Sequence, residues 1–277
     1  MSGSFEDQIR TQLKRDLGKF VADFEGTLRD FARLLSHDLR TKAFLRGPTA
    51  AQPAKPFPEP ASVEGPWSPK QFASMLVQSV VNGAMPSVLP DVINLGGLRT
   101  RLDVLDSLTQ RTAVEWGQVG FSVVAPPAVV FAKEPERGGP QSMLLSFNKY
   151  PDGCSLFNSS PTIMLHSHPT NSPHGLHFSD KDYLAFLCRP TVVASGVVHR
   201  GRALFAVKTA ISPTSINPES CATNLEELLA ESNRKASSHA GAVRSFTEEA
   251  AIHYGLSLYV TLESEPSVAR KVRPRGN

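Results

Sequence analysis

Residues 165–187 read LHSHPTNSPHGLHFSDKDYLAFL, and the reading of this stretch governs how the rest of the 277-residue chain is understood. The apolar run Thr162-Ile163-Met164-Leu165 leads directly into His166 and His168, which stand two apart. Side chains alternate across a strand, so residues i and i+2 share a face and both imidazoles project the same way. Pro169 has no N–H to give to a ladder and ends the strand. Thirteen residues later, Asp182 enters the first turn of a helix that the pattern predicts over 180–187, with Ser179 as its N-cap. Two neutral imidazoles and one carboxylate make a three-donor set suited to a catalytic zinc with an open position. A His-x-His pair alone is more often an exposed or hydrogen-bonded pair than a metal site. Pro169, Ser179 and Asp182 in order at a strand-to-helix junction are what make the metal reading specific.

These residues resemble the JAMM peptidases, the metalloenzymes of the MPN-domain class. Their motif runs His-Ser/Thr-His-Pro and then Ser-x-x-Asp, with a glutamate well upstream. His166-Ser167-His168-Pro169 and Ser179-Asp180-Lys181-Asp182 carry the match. Between them, Thr170 to Phe178 holds nine residues, two more than that pattern, which a surface loop absorbs at little entropic cost. His174 and His177 lie in this loop; they read as loop residues, with contact to a metal or to substrate as the alternative. The resemblance implies one zinc per chain on His166, His168 and Asp182, with Ser179 donating a hydrogen bond to an oxyanion. It also implies an α/β (α+β) fold, a mixed sheet flanked by helices.

A zinc-dependent hydrolase also needs a proton acceptor outside the ligand set. In the resembling family a strand glutamate fills that role, and Glu115 stands 51 residues before His166 in the strand-like run Val114–Gly120. Glu134 and Glu136 are its rivals, but Lys133–Gly139 reads as a turn. Ser167, between the two histidines, is expected to point away from the metal and support the strand. The implied activity is hydrolysis of a peptide or isopeptide bond at the C-terminal tail of a ubiquitin-like modifier. Such a tail docks as an added strand, with 133–161 and 170–178 as the candidate contact regions. The composition suggests a bacterial member. The alternatives are a non-catalytic scaffold of the same fold and an unrelated metal hydrolase. A zinc deaminase would bring His-x-Glu and Pro-Cys-x-x-Cys, and neither occurs.

Composition narrows the partners. With 40% hydrophobic residues, the chain can bury one substantial core. Charged residues make up 20%, the net charge is +3 and the pI is near 8.8, a balance that does not favour nucleic acid. Cys154, Cys188 and Cys221 are odd in number and form no Cys-x-x-Cys pair, so neither a zinc ribbon nor a disulfide framework is expected. No apolar run approaches the ~20 residues of a membrane span, and the first residues lack a signal-peptide layout. The expected location is cytoplasmic, with no membrane partner.

Organisation along the chain is uneven. Apolar residues recur at three- and four-residue steps over 5–46, so 1–46 reads as an amphipathic helical extension open to self-association or partner docking. Residues 47–68 hold six prolines and read as an extended linker. The metalloprotease-like domain is expected over 69–262, followed by a basic disordered tail, 263–277. Within the domain, the pattern predicts helices over 69–81, capped by Ser68, and over 98–108. Strands are expected over 113–124, 128–132, 142–147 and 162–168. A strand pair, 191–198 and 203–207, turns at His199–Arg202; a long helix covers 224–253, and the last strand covers 256–262.

Overall fold

The computed structural model describes residues 66–124, 128–156 and 158–273. The helical extension 1–46, the linker up to residue 65 and the last four residues of the tail lie outside them. Helix α1 (Pro69–Asn82) begins at a reciprocal capping box between Ser68 and Gln71 and stops at Gly83, whose φ of 62° is left-handed. Then come β1 (Val92–Asn94), α2 (Gly97–Thr112), β2 (Trp116–Val123), β3 (Ala128–Phe131) and β4 (Glu136–Arg137). β5 (Ser159–Ser167), α3 (Asp180–Leu187), β6 (Ala194–His199) and β7 (Arg202–Lys208) form the centre. α4 (Pro218–Lys235), α5 (His239–His253), β8 (Leu256–Leu262) and β9 (Glu265–Lys271) complete the described chain.

The strands form one curled mixed sheet in the order β1-β9-β8-β7-β6-β5-β2-β3, with β4 added beside β2. Its one parallel pair among the described residues is β5–β6; the other pairs are antiparallel. Adjacent parallel strands cannot be joined by a hairpin, and α3 is the crossover between them. A crossover helix starts near the carboxyl end of the first strand, which delivers α3 to the end of β5 where the histidines stand.

Alternation along β5 sorts the core. Ile163 and Leu165 pack with Phe72 and Leu76 of α1 and with Leu102 and Leu105 of α2. Met164 faces the other way, into a cluster with Phe178, Tyr183 and Phe186 around α3, Leu225 of α4 and Phe246 of α5. The even-numbered face of β5 is therefore the face of α3, and His166 and His168 continue it. Ser167 lies on the α2 face, where its Oγ bonds Thr109 Oγ1, accepts from Trp116 N at 3.0 Å and donates to the Trp116 carbonyl at 3.1 Å. Gly117 pairs with His166 across β2–β5. A Cβ at Gly117 would stand 2.7 Å from Leu145 Cδ2 and 2.9 Å from the Leu165 carbonyl, so only glycine lets β2 lie this close.

Four expectations are corrected. Residues 142–147 form no strand: the Glu136 carboxylate accepts from Ser146 N at 3.0 Å and Ser146 Oγ at 2.6 Å, drawing the segment off the sheet. The helix expected over 224–253 is two, because Ala236 is extended and Ser238 caps α5 by accepting from Gly241 N. The tail assigned to 263–277 contributes β9, which lies between β8 and β1. The connection after α1 contains β1, bridged in parallel at Ile93 by Trp67, a residue placed at the end of the linker. No helix among the described residues is long and apolar enough to cross a membrane.

Candidate metal centre

The crossover brings together the three residues that the sequence singles out. His166 Nε2 stands 3.1 Å from His168 Nε2, 3.3 Å from Asp182 Oδ1, and the His168 Nε2–Asp182 Oδ2 separation is 3.6 Å. Both histidines are buried, Asp182 is partly buried, and this is the one His/Cys/Asp/Glu cluster of its kind among the described residues. Three lone-pair donors facing one another repel unless a proton or a cation lies between them. Donors about 2.0–2.1 Å from a common ion at tetrahedral angles lie roughly 3.3 Å apart, which is the spread seen here. The donor set fits a divalent cation.

Each donor is held by its neighbours. His168 Nδ1 lies 2.8 Å from the Gly175 carbonyl, so that nitrogen carries the proton and Nε2 keeps its lone pair for the centre. The backbone of His168 donates to Val198 at 3.0 Å, and its carbonyl lies 3.2 Å from His199 Nδ1. His166 Nδ1 is buried without a partner among the described residues, the one unmet demand of the arrangement. Asp182 and Ser179 form a capping box: Ser179 N and Oγ donate to Asp182 Oδ2 at 2.8 and 2.7 Å, and Asp182 N returns a bond to Ser179 Oγ at 3.1 Å. Burial opposes ionisation of Asp182, but the fields of His166 and His168 and their hydrogen bonds outweigh it and hold the carboxyl well below its usual range.

Ser179 thus orients Asp182, and the hydroxyl hydrogen assigned in sequence to an oxyanion is given to the carboxylate. A Ser179→Ala variant should lose about 1 kcal/mol of stability with its cap. It should also bind a divalent cation about 10–100-fold more weakly, as when an outer-shell partner is removed. Thermal melts of the metal-free protein and a zinc titration check the two effects separately.

Glu115 sits just ahead of β2, not within it, and is 5% exposed. Its N–H donates to the Gly139 carbonyl and its own carbonyl accepts from Gly138, both at 2.8 Å, so the 138–139 segment fixes its backbone. Burial pushes its carboxyl up to about 7, with His168 opposing the shift and Asp182 reinforcing it. Its rivals are placed elsewhere: Glu134 is exposed, and Glu136 is taken by Ser146 and by Lys149 at 3.0 Å.

The two extra histidines diverge. The His174 ring lies 6.1 Å from the His168 ring. Burial and the neighbouring His168 lower its proton affinity, against the pull of Asp182 and Asp180. His177 is held at about 4, chiefly by burial and then by Arg244, and its Nδ1 is buried without a partner among the described residues. A depressed value means stability present above the ordinary imidazole range and lost as pH falls through about 4. A His177→Gln variant should flatten that acid-side loss by on the order of 1–2 kcal/mol, allowing for partial exposure; denaturant midpoints at pH 7 and pH 4.5 measure it. Sequence reasoning missed the Gly175 carbonyl that fixes the His168 tautomer, since a backbone acceptor in a loop leaves no mark in composition.

No family model, curated protein or solved structure matches the chain.

Proposed function

We propose that the chain is a zinc-dependent hydrolase of peptide or isopeptide bonds, of the JAMM type that its motif resembles, acting on the extended C-terminal tail of a ubiquitin-like modifier. The observation that carries this reading is the convergence of His166 Nε2, His168 Nε2 and the Asp182 carboxylate at 3.1–3.6 Å. The chemistry a zinc ion supplies there is Lewis acidity, which polarises a carbonyl and makes water acidic enough to attack at neutral pH. Glu115 then serves as the proton carrier. Without metal its carboxyl is raised to about 7, and a bound cation would draw it lower, so that it is ionised at neutral pH and still able to return a proton. Its carboxylate accepts a proton from the attacking water as the new C–O bond forms. It passes that proton to the nitrogen as the C–N bond breaks, leaving an amine and a carboxylate. Burial of Glu115 and the histidines limits competing solvent.

Zinc-loaded protein incubated with a panel of ubiquitin-like proteins bearing C-terminal lysine isopeptides tests the reading. Release of free lysine with the intact modifier is expected. A protein that binds zinc stoichiometrically, binds a panel member and cleaves none would instead be a scaffold of the same fold.

A further inference from the structure

The loop between β5 and α3 carries a histidine with no assigned task. His174 is half-buried, its ring lies 6.1 Å from that of His168, and neither ring nitrogen makes a hydrogen bond among the described residues. It lies outside the three-donor cluster, so it is near the centre without being part of it. The loop holds it firmly. The Pro173 carbonyl lies 3.1 Å from His239 Nε2 at the start of α5, and the Gly175 carbonyl lies 2.8 Å from His168 Nδ1. His174 N lies 3.3 Å from Ser172 Oγ, and its carbonyl accepts from His177 N at 2.9 Å. Both chain neighbours of His174 are thus pinned through their carbonyls, which preorganises the imidazole between them. The Ser179 hydroxyl already donates to Asp182 Oδ2 at 2.7 Å.

We propose that His174 is a substrate-oxygen donor: its ring N–H bonds the carbonyl or carboxylate oxygen of a ligand held at the His166–His168–Asp182 centre. The inference rests on the metal-hydrolase reading above. Either neutral tautomer carries one N–H, so the role needs no change of protonation. One such bond placed where negative charge develops stabilises the transition state more than the ground state. A carbonyl-bearing substrate would then be clamped between the metal side and the 170–178 loop, which gives the longer loop a function.

Cobalt(II)-loaded protein titrated with acetate, followed through the visible d–d bands, tests this without knowledge of the substrate. Acetate should bind His174→Ala about tenfold or more weakly than the parent, the loss expected for one hydrogen bond to a charged acceptor. His174→Asn, which keeps an N–H donor, should recover most of that affinity, with cobalt affinity and melting temperature unchanged in both variants. Equal acetate affinity in parent and His174→Ala would overturn the role, as would a parent spectrum that does not respond to acetate. Loss of cobalt itself from His174→Ala would make His174 a ligand and equally overturn it. Failure of the parent to take up cobalt would instead sink the metal-centre reading, and this inference with it.

Discussion

A Glu115→Gln variant is expected to bind zinc as the parent does and to hydrolyse its substrate about 10²–10⁴-fold more slowly, with the loss in kcat. Gln is nearly isosteric and keeps the backbone bonds to Gly138 and Gly139, so the change is confined to the proton carrier. The same substitution has a second readout in the metal-free protein. The folded-state value of about 7 lies above the ordinary 4.5, so the group's contribution to stability is full below about 4.5 and lost as pH rises through about 7. Removing the buried charge should therefore stabilise the metal-free variant relative to the parent at pH 8, by on the order of 2 kcal/mol, and have little effect at pH 4.5. In the zinc-loaded protein the cation's charge draws the carboxyl back down, so the acid limb of kcat/KM should fall below pH 7. Unchanged kcat in Glu115→Gln would move the base elsewhere.

Asp182→Asn should weaken zinc binding by more than about 100-fold, beyond the 10–100-fold typical of losing an outer-shell partner. The substitution keeps an amide oxygen to accept from Ser179 N and Oγ, so the start of α3 remains capped while the anionic donor disappears. In the parent, zinc at 100 times its Kd should raise stability by about 2.7 kcal/mol. That increment should fall to about 0.4 kcal/mol or less in Asp182→Asn at the same zinc concentration, and the metal-free variant should itself melt lower at neutral pH, having lost the carboxylate that His166 and His168 hold ionised. Calorimetric melts with and without zinc read both arms.

The parts legible in sequence are those set by short-range chemistry. Ser179 and Asp182 announce α3 because a capping box is a four-residue signal, and Pro169 announces the end of β5 because proline cannot donate. Alternation places His166 and His168 on the α3 face and Ser167 on the α2 face, as the core clusters bear out. What sequence left hidden is set at long range. β9 reads Glu265-Pro266-Ser267-Val268-Ala269-Arg270-Lys271, a charged stretch that becomes a strand because β8 and β1 offer ladders on both sides. Segment 142–147 has the apolar content of a strand, yet Ser146 bonds the Glu136 carboxylate rather than a ladder partner. Glu115 is singled out only through the family resemblance, which gives its distance from His166 meaning, and its burial could not be read from the sequence because its backbone is held by Gly138 and Gly139. The two-residue lengthening of the 170–178 loop was visible, whereas the carbonyl of Gly175 on His168 depends on how that loop folds.

The most direct test of the three-donor centre is the metal content of the purified protein beside its His168→Ala variant. About one zinc per chain is expected in the parent and essentially none in the variant, since one of three donors has gone and Asp182 then faces a single imidazole. Zinc retained in His168→Ala at the parent's level, or a parent that takes up none when supplied with it, would contradict the assignment of His166, His168 and Asp182 as a metal site.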